Sequence, residues 1–352
     1  MKRNAFSIVE LLVVIGILAI LLALLLPAFR INRDGISHRI TCQNNLRQIA
    51  LAMTNYHSAQ QCFPPCFGSV GGQGAGSSGQ LGPFVAILPF MDESSKFDSI
   101  TKGYTDGGAS FPAFPALSDV NFEPWQTGSP IFICPNVPED KVSTDFAKTH
   151  YGICIGDRAR NIHSPETARG PFSDSRRISY ADILDGSSNT FMVGEIGART
   201  KAARANQYAI NQPVSILENP SQCYGLVDGN GQDWQFKKSV SLSKIGRGGH
   251  WADGRAGVAL FNTILAPMSP SVSEGEIGGD GIYSASGPHE GGVNIARMDG
   301  SIAFIESKID AGDSSTPAPT EEEMAAGIES PYGVWGAPVS YTHLTLPTIR
   351  LV

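Results

Sequence analysis

Residues 1–30, MKRNAFSIVELLVVIGILAILLALLLPAFR, decide how the chain is organised. Lys2 and Arg3 lead into a single acid, Glu10, and from Leu11 to Phe29 no charged or polar side chain occurs. As a helix that run measures roughly 28 Å, close to the ~30 Å hydrocarbon core of a bilayer. One membrane span over about 11–29 is therefore expected. A secretory signal would have a shorter apolar core and a small-residue cleavage site, and no A-x-A-like site follows Leu26. A carboxylate one turn inside such a segment is costly, and groups of this kind usually have a partner. Cations do not orient the span, because Arg30, Arg33 and Arg39 on one side balance Lys2 and Arg3 on the other.

Beyond the apolar run, ISHRITCQNNLRQIALAMTNYHSAQQCFPPCF places Leu46, Ile49, Ala50, Met53 and Tyr56 at helical spacing. This predicts an amphipathic continuation of the first helix, ended by Pro64 and Pro65. Gln43, Asn44, Arg47 and Asn55 fall on its polar face, where solvation is the simplest role. The following GSVGGQGAGSSGQLG reads as a flexible loop. Thereafter short apolar runs broken by Asp-Gly and Gly-Gly predict strands at Phe84–Phe90, Ile131–Cys134, Thr190–Glu195, Gly257–Phe261 and Val293–Met298. Asp299-Gly300 followed by Ser301–Ile305 predicts a hairpin with a type I′ turn. The expected fold is α+β, a long N-terminal transmembrane and amphipathic helix carrying a mostly antiparallel head. No internal repeat or convincing linker divides that head.

Ala5-Phe6-Ser7-Ile8-Val9-Glu10-Leu11-Leu12 resembles the type IV prepilin processing site, usually written G-F-T-L-I-E, with Ala5 in place of glycine. The resemblance implies that a prepilin peptidase removes residues 1–5 on the cytoplasmic face of the inner membrane and methylates the new amino terminus of Phe6. It implies a pilin-like helix over 6–60 with a bend at Pro27, and Glu10 neutralising the amino terminus of a neighbouring pilin-like subunit. Everything after about residue 30 then lies outside the cytoplasm, with a head at 61–338.

Further blocks, CQNNLRQIALAMTNYH (42–57), FICP (132–135), ILDGSSNTFMVGE (183–195), HWADGRAGVALFNTILAPMSP (250–270) and His289-Glu-Gly-Gly-Val-Asn-Ile-Ala-Arg-Met-Asp299-Gly300, are similar in order to a planctomycete prepilin-like family of unknown function with a C-terminal H-x9-DG motif. That family also carries a solute-binding label, for which these residues give no physical support. If 291–298 are extended, roughly 33 Å separate His289 from Asp299, so the two cannot share a metal or act as a dyad. A structural role is expected instead: Asp299-Gly300 for the turn, His289 at the far end of the strand.

No catalytic constellation emerges. EF-hand spacing, H-E-x-x-H, a Walker loop and G-x-S-x-G are all missing from the sequence, so a non-enzyme is expected. No cofactor is expected either. Calcium held by Asp185, Glu195, His250, Asp253 and Glu290 is the minor alternative, since some pilin relatives in secretion systems bind it through loop carboxylates. Asp185–Thr190 reads more simply as an Asx-type turn. The six cysteines, Cys42, Cys62, Cys66, Cys134, Cys154 and Cys223, allow fifteen pairings, and buried thiols are the alternative to disulfides. A net charge of −7 with 17% charged residues argues against a nucleic-acid partner.

From about Val339, SYTHLTLPT matches one reading frame of a transposase-type sequencing adapter, so 339–352 are expected to be a library artefact. The function expected from all of this is a structural subunit of a type IV pilus-like filament or of a type II secretion-like pseudopilus. A membrane-tethered, extracytoplasmic protein that binds a polysaccharide or solute without polymerising is the alternative.

Overall fold

The computed structural model describes residues 8–28, 33–68, 79–137, 145–163, 170–172, 177–197, 207–229 and 234–337. Outside them lie the leader and cleavage site at Ala5 and Phe6, most of the glycine-rich loop, and the suspected adapter tail.

The expected long stem is not what forms. Helix α1 spans Ile8–Ala28 and a separate helix, α2, spans Arg33–Gln60. Among the described residues no helix is long and apolar enough to cross a membrane. From the end of α1 into the first turn of α2 the sequence turns abruptly polar, with Arg30, Asn32, Arg33 and Asp34 within five positions. The fold is mixed α/β, not a head on a membrane-spanning stem.

α2 owes its position to one apolar stripe. Cys42, Leu46, Ile49, Ala50 and Met53 recur one to two turns apart and are fully buried. The helix stops where Gln61 enters the left-handed region at φ 57°, its N–H donating to the His57 carbonyl at 2.7 Å, just before Pro64 and Pro65.

This stripe packs on a five-stranded sheet built from β1 (Tyr151–Cys154), β2 (Phe191–Glu195), β3 (Leu260–Phe261), β4 (Gly292–Arg297) and β5 (Ile302–Glu306). Their spatial order is β5-β4-β2-β1-β3, antiparallel throughout except for the β1–β3 pair. Tyr151, Ile153, Met192 and Ala296 face the core shared with α2. Cys154, Phe191, Val293 and Ile295 face a second core with Trp335. A sheet covered on both faces needs apolar residues at successive positions, and β1 and β2 are buried throughout.

Two local expectations change. Phe84–Phe90 is not a strand: Pro83–Ile87 is helical and Leu88–Phe90 is a 3-10 turn. Pro83 occupies the first turn, where its missing N–H costs nothing, and a fully buried apolar run suits helix and strand alike. Ile131–Cys134 is likewise not a strand, because Ile131 and Phe132 lie in a 3-10 turn at Pro130–Phe132. At the β4–β5 hairpin the Gly300 N–H donates to the Arg297 carbonyl at 2.9 Å, and the Arg297 N–H to the Ser301 carbonyl at 2.9 Å. Of Asp299 and Gly300 only the glycine has positive φ, 81°. The loop is thus a type I turn closed by a left-handed glycine, where a two-residue type I′ turn would need positive φ at both positions.

Candidate functional site

The inner face of α2 meets the sheet around one buried polar cluster. Cys42 on α2 is disulfide-bonded to Cys134, ninety-two positions away, with Cα atoms 5.2 Å apart. Glu195 ends β2, and His289 precedes β4. Both are buried, and His289 Nε2 lies 2.9 Å from Glu195 Oε1 and 3.8 Å from Cys134 Sγ.

The Glu195 carboxyl is held by Asn294 as well as by His289. The Asn294 backbone N–H donates to Oε2 at 2.7 Å and the Asn294 side-chain amide to Oε1 at 3.1 Å. An acidic oxygen taken from water must recover its hydrogen bonds inside the protein, and these contacts do so. Asn294 in turn accepts from Gln43 Nε2 of α2 at 3.1 Å. Gln43, expected only to be solvated, therefore ties the helix to β4. Asn45 Nδ2 donates to the Ile133 carbonyl at 2.9 Å, and Arg39 stacks on the Phe304 ring at 3.7 Å from its centroid.

The backbone around the cluster is held as closely. The Cys134 N–H donates to His150 Nδ1 at 3.0 Å, and Asn136 Nδ2 donates to the Pro288 carbonyl at 3.3 Å. At Gly287 a Cβ atom would stand 2.8 Å from Glu195 Oε2, so only glycine leaves the carboxyl its place.

Cys42, Cys134, Glu195 and His289 offer donor atoms all within 4.8 Å of one another, the one group of three or more such residues among those described. The five calcium candidates do not converge. Glu195 serves the cluster, Asp253 pairs with Arg255 at 2.6 Å, and Glu290 is exposed beside a groove. His250 is buried against Trp125 and Phe146, its Nδ1 accepting the Ala252 N–H at 3.2 Å and its Nε2 lying 3.1 Å from the Leu117 carbonyl. Burial pushes its pKa down to about 4. Asp185 begins a turn in which Asn189 Nδ2 donates to its carbonyl at 2.9 Å.

Of the other sequence-derived positions, Glu10 lies in the first turn of α1 and is exposed, and Pro27 falls in the last turn of the same helix. Six residues of β4 separate His289 from Asp299, about 20 Å of strand. Asp299 Oδ1 accepts the Ser301 N–H at 2.9 Å within the turn.

Cys62, Cys66, Cys154 and Cys223 remain buried thiols. Burial raises the Cys154 thiol to about 12 and pushes Cys223 up as well. Neither has the acidity of a nucleophile.

A groove of about 860 Å³ lies beside β5, lined by Tyr224, Trp234, Met268, Glu290, Phe304 and Lys308 among others. Tyr224 Oη and Ser269 Oγ are 2.9 Å apart, and Trp234 Nε1 donates to the Met268 carbonyl at 2.6 Å, which fixes both rings.

A sheet clamped to one amphipathic helix by a disulfide and a buried His-Glu-Asn network defines the class of molecule. The chain belongs to the family described as "Protein of unknown function (DUF1559)", which matches residues 38–312. The match contains all four cluster residues and begins beyond Glu10 and Pro27, so it does not bear on the processing motif. No curated protein and no solved structure matches the chain.

Proposed function

We propose that the protein is an exported, non-enzymatic structural subunit of a pilin-like assembly, a filament or a secretion pseudopilus. The observation that carries this reading is the surface of α1. Its large apolar side chains from Ile8 to Leu21 are all exposed, from 46% at Val14 to 78% at Ile8. A contiguous apolar surface around a whole helix is far more than a solitary soluble chain leaves in water, and it requires a partner. Pilin-like subunits, other copies of this chain included, are the partner proposed.

In this reading a prepilin peptidase at the inner membrane cuts between Ala5 and Phe6, and Glu10 then meets the methylated amino terminus of the next subunit. The disulfide supports a head folded outside the cytoplasm, where such bonds persist. Nucleic acid is not among the proposed partners. Two measurements test the proposal. Mass spectrometry of the purified protein should find an N-methylated Phe6 as the first residue. Glu10→Ala should abolish assembly, read as loss of sedimentable polymer, while the head keeps its circular dichroism; normal polymer from Glu10→Ala, or an intact Met1, would sink the idea.

The groove favours a second reading, a head that recognises an extracellular polysaccharide. Fixed aromatic rings beside Glu290 and Lys308 suit the apolar faces and hydroxyls of sugars. Quenching or enhancement of Trp234 fluorescence by soluble oligosaccharides, lost in Tyr224→Ala, would favour it; polymer formation without any such response would favour the first.

A further inference from the structure

The disulfide accounts for Cys42 and Cys134 but not for what surrounds them. Placing a carboxyl and an imidazole against the bridge costs desolvation that apolar filler would avoid. Two sulfurs, one imidazole nitrogen and one carboxyl oxygen within 4.8 Å of one another, all buried, form a donor set suited to zinc. Tetrahedral Zn²⁺, with bonds of about 2.0–2.3 Å, holds its donors roughly 3.3–3.8 Å apart. The His289–Glu195 separation of 2.9 Å and the His289–Cys134 separation of 3.8 Å are close to that range. To hold the ion the two bonded sulfurs must move apart, the His289–Glu195 contact must open by a few tenths of an ångström, and any donors as far apart as 4.8 Å must draw in.

The supporting shell is already built. Asn294 orients Glu195 through two hydrogen bonds, and His150 fixes the backbone at Cys134. Outer contacts of this kind normally position metal ligands. Cys42 and Glu195 sit on the helix and strand that make the core, so their placement does not depend on a loose loop.

We propose that Cys42, Cys134, Glu195 and His289 bind one Zn²⁺ when the disulfide is opened by a dithiol reductant. The dithiol supplies two electrons and two protons and leaves as its own disulfide, and Cys42 and Cys134 become thiols. On metal binding each thiol releases its proton to solvent and forms a sulfur–zinc bond. The ring proton with which His289 Nε2 faces Glu195 in the disulfide form is exchanged through solvent to Nδ1, which frees Nε2 to ligate, and a Glu195 oxygen completes the tetrahedron. The cluster thus has two locked states, disulfide and zinc, each joining α2 to the sheet. The site is independent of α1 and of any assembly.

The test uses the purified full-length chain and Co²⁺ as the probe. The protein is reduced with a dithiol, freed of it under anaerobic conditions and titrated with Co²⁺, then with Zn²⁺. The expected result is one Co²⁺ per reduced chain, with intense tetrahedral d–d bands and thiolate-to-cobalt charge transfer, both erased by one equivalent of Zn²⁺. The oxidised chain should give neither band. Cys42→Ser should cut the charge-transfer intensity by about half and Cys42→Ser with Cys134→Ser should abolish it, and Glu195→Gln should weaken Co²⁺ binding at least about tenfold. Cys154→Ser and Cys223→Ser should leave it unchanged. Circular dichroism of each variant separates loss of the site from loss of the fold. The proposal is overturned if the reduced chain gives no sulfur-ligated tetrahedral cobalt, if the Cys42→Ser, Cys134→Ser double variant retains it, or if the reduced chain unfolds and Zn²⁺ does not restore it.

Discussion

His250 shows what a single buried ring does to the pH response of the whole fold. Its Nδ1 accepts the Ala252 N–H, so the ring proton is on Nε2, facing the Leu117 carbonyl, and both nitrogens are satisfied in the neutral form. Protonation would set an N–H at Nδ1 against the Ala252 N–H. Burial is the main reason its folded pKa falls to about 4, below the ~6.5 of the unfolded chain. Between these values the unfolded state binds more protons, so this residue's contribution is complete above about pH 6.5 and is lost as pH falls toward 4. The loss is up to about 3 kcal/mol. Urea melts from pH 7 to pH 4 should show that slope, and His250→Asn should flatten it. Glu195→Gln should cost about 1–3 kcal/mol, because an amide N–H₂ replaces one acceptor among buried donors. A shift in the urea midpoint with unchanged m-value would register it. Only part of this was legible in the chain. His289 and Glu195 each stand in a motif-like block, yet ninety-four positions separate them, and periodicity carries no information about such a pairing. The cysteines left a better trace: Cys42 and Cys134 are the two that fall inside the CQNN and FICP blocks.

At the scale of elements, α2 was readable because its stripe repeats at helical spacing, and β2, β4 and β5 because each is a short apolar run bounded by turn signals. The run at Phe84 misled because all of Pro83–Ile87 is buried, which removes the alternation that tells strand from helix. The N-terminal helix differs for another reason: an apolar tract and an amphipathic one in succession do not reveal whether they form one helix or, as here, the two helices Ile8–Ala28 and Arg33–Gln60. The α2–sheet junction is held by one covalent link across a long loop, and its loss is correspondingly expensive. Cys42→Ser in the oxidised protein should lower stability by about 2–5 kcal/mol, chiefly by freeing the unfolded chain. Hydrogen exchange should accelerate first in α2, near Asn45 and Leu46, before the β2–β4 ladder is affected.

For the whole molecule, an apolar helix and a closed head make opposite demands on solvent. α1 has no described apolar surface to spare from contact with water, whereas the head buries its large rings, Trp125, Trp251 and Trp335 among them. Ile17→Asp, in the middle of α1, should therefore abolish self-association in sedimentation while leaving the head's thermal transition within about 0.5 kcal/mol of the parent. A parallel loss of head stability would mean that α1 packs on its own head. Chain order adds a constraint of another kind. Gln43 on α2 waits for Asn294 on β4, two hundred and fifty-one positions later, so the helix emerges from synthesis or export long before its docking surface exists. Contacts this distant in sequence make for slow closure and exposed intermediates. During that interval Cys42 has four buried-to-be thiols to mispair with besides Cys134, and faithful assembly of the head becomes a race between strand arrival and premature oxidation.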